Sequence, residues 1–110
     1  MADLIDIELL ERTEIEVRAQ VAVTDRLKQP LGLVHGGVYA TIADVMTARS
    51  GRVVSNQTSF VRPITGGTIH AVARRRHGGR TTQVWETDIS DDDGRLCALV
   101  RTTVYPDPGP

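Results

Sequence analysis

The chain has 110 residues, a formal net charge of −1, and 40% apolar against 25% charged residues. That suffices for one hydrophobic core and a single domain over 1–110, and the near-neutral balance gives neither nucleic acid nor an anionic membrane anything to hold. No apolar run approaches the roughly 20 residues of a membrane span, the start has no signal-peptide pattern, and the lone Cys97 excludes an internal disulfide and a thiolate metal cluster, so a cytoplasmic protein is expected.

Leu4 to Glu11 mixes apolar and acidic positions without a clean period and reads as a short lead-in strand or helical turn. From 14 to 24 the pattern alternates, with Ile15, Val17, Ala19, Val21 and Val23 on one face and Glu14, Glu16, Arg18 and Gln20 on the other, which predicts a half-buried strand. Pro30 and Gly32 place 25–34 in a loop. A helix is expected from Gly37 to Ala48, with Gly51 as terminator and Arg49 favourable to the dipole of the last turn. Val38, Ile42 and Val45, with Tyr39, Ala43 and Met46 beside them, give it a broad apolar face.

Strand signals fill the rest: 53–62 up to Pro63, 68–76 after Gly66-Gly67, 81–90 after Gly78-Gly79-Arg80, and 96–105 after Asp91-Asp92-Asp93-Gly94. The tight Gly-Gly and Asp-Gly punctuation predicts an antiparallel meander for these last strands, and 106–110 is expected to be a frayed tail. A long apolar helix among strands is covered most economically by an antiparallel sheet curled around it, an α+β architecture. One helix against one sheet leaves edges open, and small domains of this kind usually complete themselves with a second copy.

The chemistry concentrates in the stretch from Gln29 to Asp44. Counting in helical steps from Gly37 gives Ala40, Asp44, Thr47 or Ala48, and Gly51, a stripe of small residues around one carboxylate. Asp44 has no basic residue three or four positions away, so it is solvated, paired from elsewhere, or functional. The Gly36-Gly37 pair opens a helix N-terminus whose free amides favour developing negative charge. A carboxylate base near an oxyanion-binding amide is what ester or thioester hydrolysis requires. His35 has a plainer reading as a cap or packing residue. There is no Gly-x-Ser-x-Gly elbow, and His35, His70 and His77 lack the spacing of metal ligands, so no metal site is expected.

The run Pro30-Leu31-Gly32-x-x-His35-Gly36-Gly37, followed by Asp44, resembles the hotdog-fold acyl-CoA thioesterases, especially the phenylacetate-pathway and 4-hydroxybenzoyl-CoA thioesterase group. Phe60-Val61-Arg62-Pro63 with Gly66-Gly67, the segment His77 to Glu86, and Asp93-Gly94-Arg95-Leu96 are similar to later parts of the same pattern, so the likeness runs from about 5 to 105. The resemblance implies a hotdog fold and hydrolysis of an aryl or short- to medium-chain acyl-CoA to free acid and CoA. No cofactor is implied, coenzyme A being part of the substrate.

It further implies Asp44 as nucleophile or general base and the Gly37 amide as the group that polarises the thioester carbonyl. Gln29 would contact the reacting water or carboxylate, with His35 in support. Thr47 and Ala48 flank the place where some relatives carry a water-orienting hydroxyl. Arg80 and Thr81, with Arg76, are candidates for contacting CoA, alongside Arg74 and Arg75. The implied active site is shared across a homodimer, which can pair into a homotetramer. A non-catalytic acyl-CoA or acyl-carrier binding module is the alternative, and a hydratase of the same fold ranks last because its Asp–His arrangement differs.

Overall fold

A computed structural model describes residues 5–106. Leu4 and the expected frayed tail beyond Pro106 lie outside the described residues. The lead-in segment forms a strand, β1 (Glu8–Arg12), followed by β2 (Glu16–Ala22) and a 3-10 turn at Asp25–Leu27. The helix, α1 (Gly36–Thr47), ends in a second 3-10 turn at Ala48–Ser50. Then come β3 (Arg52–Phe60), β4 (Thr68–Gly78), β5 (Gln83–Ser90) and β6 (Leu96–Tyr105). Every strand pairing is antiparallel, in the order β1-β2-β4-β5-β6-β3. This is the expected hotdog architecture, one helix held by a sheet.

Period-two alternation sends Val17, Ala19 and Val21 of β2, Ile69, Ala71 and Ala73 of β4, Trp85 and Ile89 of β5, and Val100 and Val104 of β6 into one core. The alanines there are short, which lets the sheet close on the Val38, Tyr39, Ile42, Ala43 and Met46 face of α1. The opposite face of the sheet carries charge. Arg74 reaches Glu16 at 3.2 Å and Asp88 at 3.5 Å, and Glu86 takes both Arg76 at 3.2 Å and Arg101 at 3.1 Å.

Three expectations need correction. Ile15 is 58% exposed rather than inward. Thr13 Oγ1 accepts the amides of Ile15 and Glu16, so Ile15 lies in the β1–β2 turn and the alternation begins only at Glu16. Val45 is exposed, so the apolar face of α1 is narrower than its spacing suggested. The meander holds for β4-β5-β6, but β3 passes to the far edge of the sheet and pairs with β6. The 61–67 connection permits this: the Val61 and Arg62 amides both donate to Cys97 O, and Ile64 O receives the Val34 amide, so the segment is pinned across the end of the sheet instead of reversing tightly.

Gly51 shows why the helix stops where it does. Its φ of +148° suits glycine, and a Cβ there would collide with the Tyr105 carbonyl oxygen. That close approach lets β3 start directly beside the end of β6.

Candidate active site

The loop before α1 is tied down by its own backbone. The Gln29 amide donates to Leu33 O at 2.7 Å, the Gly32 amide to Gln29 O at 2.9 Å, and the His35 amide to Leu27 O at 2.9 Å. Gly32 makes the reversal possible with φ +87°. The Gln29 side-chain oxygen accepts the Leu31 amide, which commits that oxygen to the loop and leaves the amide nitrogen as its donor.

His35 is the N-cap of α1 and makes no side-chain capping bond. The amides of Gly36 and Gly37 have no acceptor inside the helix, so they project from its N-terminal end. A Cβ on Gly36 would lie 2.5 Å from Cε1 of Phe60, so a larger residue there would have to turn that exposed ring aside. The Phe60 ring stands tilted against Tyr39, centroids 6.4 Å apart. Together these residues wall a cavity of about 450 Å³, lined among others by Gln29, His35, Gly36, Tyr39, Phe60 and Arg62. Tyr39 is 3% exposed, and burial pushes its phenol above the usual range.

Asp44 does not line this cavity. It is half-buried on the side of α1 that faces β3, where Asn56 Nδ2 donates to its Oδ1 at 2.7 Å and to Ala40 O at 3.0 Å. Thr58 Oγ1 in turn donates to Asn56 Oδ1 at 2.9 Å. This pair was not apparent from the sequence. Its trace was the polar string Ser55 to Ser59 in a strand, with hydrophilic residues at the positions that alternate toward the helix.

Thr47 is placed differently from expectation. It is fully buried, its hydroxyl donating to Ala43 O at 2.8 Å and lying 3.1 Å from Thr102 Oγ1 on β6. It belongs to the core, and Ala48, which is exposed, continues the Asp44 stripe. Arg80 and Thr81 are exposed at the β4–β5 turn, closed by the Gly79 amide on Thr82 O. Arg80 has no ion pair among the described residues, whereas Arg76 is held by Glu86. A second groove of about 600 Å³ runs past Arg74, Arg75, Arg76 and His77 beside Glu16. The structure thus unites Gln29, His35 and the helix N-terminus, and keeps Asp44 and the arginines apart from them within one chain. Among the described residues no group of three or more His, Cys, Asp or Glu is disposed to hold a metal ion.

The thioesterase superfamily profile matches residues 31–98, from the loop before α1 into β6. The chain belongs to the thioesterase superfamily. The enzyme is 30% identical to the proofreading thioesterase EntH of Klebsiella pneumoniae over 95 residues, 77% of this chain and 69% of that one. Among solved structures it is similar to a Pseudomonas aeruginosa thioesterase determined as a glutamine-to-alanine variant, at 29% identity, TM-score 0.85, covering 96% of this chain and 86% of the other. It is also similar to the Escherichia coli PaaI protein of the phenylacetic acid degradation operon, at 25% identity, TM-score 0.87, covering 98% and 84%. Membership makes it a thioester hydrolase of the hotdog fold.

Proposed function

We propose that this thioesterase hydrolyses an aryl- or short- to medium-chain acyl-CoA at a site built from two copies of the chain. The observation that carries the reading is a direction. Helix amides point toward the N-terminus, so a carbonyl held by the Gly37 amide sits beyond the start of α1. Asp44 lies seven residues the other way, about 10 Å along the axis at 1.5 Å per residue. No single chain aims both groups at one carbon.

A two-fold axis near Ala40–Thr41 would bring Gly37 of one helix opposite Asp44 of the other. The edge of the sheet supports that pairing. β3 is nine residues long and lies at the open edge. It is charged only at Arg52 and is largely exposed despite pairing with β6. Such an edge lacks the lysines and prolines that usually deter strand addition, while β1 at the other edge carries Glu8, Glu11 and Arg12.

In the composite site the Gly37 amide polarises the thioester oxygen, next in sequence to Gly36, which lines the cavity with Gln29 and His35. Asp44 attacks the acyl carbon or takes a proton from the water that does. A C–O bond forms and the C–S bond breaks, with CoA leaving as a thiolate that accepts a proton. Attack by water gives the free acid directly, whereas attack by Asp44 gives a mixed anhydride that a water then cleaves to the free acid and the restored carboxylate. The cavity that Tyr39 and Phe60 help to wall suits a ring or a short chain. The exposed Arg80–Thr81 turn and the arginine groove are the places for CoA phosphates, and the cytoplasm, where acyl-CoA is found, is the matching compartment. The chemistry needs no cofactor.

The test is thiol release from benzoyl-, phenylacetyl-, butyryl-, hexanoyl- and palmitoyl-CoA. Turnover of the aryl or short members, lost in Asp44→Asn with CoA affinity kept, is expected. Binding without turnover across the panel would favour the non-catalytic acyl-CoA module, and an unchanged rate in Asp44→Asn would remove Asp44 from the chemistry.

A further inference from the structure

We infer that Asn56 is a positioning residue for Asp44, oriented by Thr58, an assignment that rests on the role proposed for Asp44 above. The orientation of the Asn56 amide follows from its surroundings. Nδ2 faces two acceptors, Asp44 Oδ1 at 2.7 Å and Ala40 O at 3.0 Å. A flipped amide would turn its oxygen toward a carboxylate and a carbonyl, and the Thr58 hydroxyl, donating to Oδ1 at 2.9 Å, holds the favourable setting. Thr58 is two residues from Asn56 on β3 and therefore shares its face of the strand.

The two Nδ2 bonds act on one residue. Ala40 O is the carbonyl that receives the Asp44 N–H in a regular α-helix, so Asn56 grips both the backbone turn that projects Asp44 and the carboxylate itself. That carbonyl already has its helical donor, so the second bond is not needed to satisfy it. Asp44 Oδ1 is occupied, which leaves Oδ2 as the oxygen free to face the acyl carbon or a water. An aspartate side chain is short, so rotation about its first torsion would carry Oδ2 away from a carbonyl whose place is set by another chain. The grip comes from β3, the strand proposed to carry the second copy, so the carboxylate is aimed from the same strand that aligns its target.

The experiment measures hydrolysis of benzoyl-CoA and hexanoyl-CoA by Asn56→Ala, Asn56→Asp, Thr58→Val, Asp44→Asn and the Asn56→Ala/Asp44→Asn double variant. Each is first matched to the wild type in thermal midpoint and elution volume. The expected result is a kcat lower by about 10- to 100-fold in Asn56→Ala, the scale of a misplaced reacting group, with KM within twofold. Asn56→Asp keeps the shape but replaces the donor with an acceptor, and should lose at least as much. Thr58→Val should lose about two- to fivefold, a fraction of that cost because it releases the orientation and leaves the donor in place. In the Asp44→Asn background Asn56→Ala should have no further effect on the residual rate, because the two residues act as one unit.

If Asp44→Asn abolishes turnover but Asn56→Ala and Asn56→Asp keep kcat within threefold, this inference fails and the proposed function stands. An equal loss from Asn56→Ala with and without Asp44 would also overturn it, marking Asn56 as a merely structural contact. Full turnover in Asp44→Asn, or no turnover by the wild type, would overturn the reading beneath it. Should Asn56→Ala not fold, the isosteric Asn56→Asp and Thr58→Val decide the matter by the same criteria.

Discussion

Replacing Thr47 by valine separates a core role from a catalytic one. The Thr47 hydroxyl has a single proton, given to Ala43 O at 2.8 Å, so Thr102 must be the donor across their 3.1 Å contact. Valine nearly preserves the shape but leaves the Thr102 hydroxyl without its acceptor in a place where both residues are 0% exposed. Ala43 O loses little, since it still receives the Thr47 backbone amide. An orphaned buried donor costs about 1–3 kcal/mol, and at about 4–8 °C per kcal/mol for a small domain the thermal midpoint should fall by several degrees. Thr47→Val/Thr102→Val should recover most of that loss, because an apolar pair of the same shape leaves nothing unpaired. Thermal melts of the two single variants and the double variant, with kcat on benzoyl-CoA below the melting range, make the assay. A tenfold fall in kcat with an unchanged midpoint would refute the reasoning and return the Thr47 hydroxyl to the chemistry.

Arg80→Ala should raise KM for acyl-CoA several-fold with kcat unchanged and a weaker salt dependence, whereas Arg76→Ala should do less because Glu86 already holds that guanidinium; steady-state kinetics at two salt concentrations check both. Val54→Lys adds charge to the exposed β3 edge and should shift the protein to a monomer by size-exclusion chromatography, with activity lost in parallel; a fully active monomer would contradict the shared site. The Arg95 backbone amide holds Asp91 below the usual carboxylate range, and the His70 side chain does the same for Asp92. Their stabilisation is therefore present above the unfolded value near 3.8 and is lost as pH falls through the lower folded values. The thermal midpoint should drop below about pH 4, less steeply in Asp92→Asn, and an identical acid profile in that variant would dismiss the His70 contact.

The parts legible in the sequence are those governed by local periodicity. Val17, Ala19 and Val21 announce β2 by alternation, the Gly78-Gly79 and Asp93-Gly94 reversals fix the order β4-β5-β6, and Gly36-Gly37 marks the start of α1. Phase and partnership were less legible. Seen down the helix, Thr47 lies about 60° to one side of Asp44 and Ala48 about 40° to the other at 100° per residue, and only Thr102 on a strand 55 residues away draws Thr47 inward. The edge position of β3 depends on the pinned 61–67 connection, whose Pro63 and Gly66-Gly67 read locally as a tight reversal. Asn56 was hidden for a related reason. A polar residue in a strand declares its purpose only once the helix carboxylate opposite it is known.

Subunit mixing asks directly whether Gly37 and Asp44 of different chains serve one site. Gly37→Pro removes the amide donor at a first-turn position where proline is tolerated, and Asp44→Asn removes the carboxylate, so each variant alone should be inactive. Co-refolding them at equal amounts gives heterodimers in which one of two sites holds both native groups. Random pairing should then restore about one quarter of wild-type turnover, as expected for two-fold dimers. Recovery near that level supports a shared site; a mixture no more active than its parents, with heterodimers demonstrated, would contradict it.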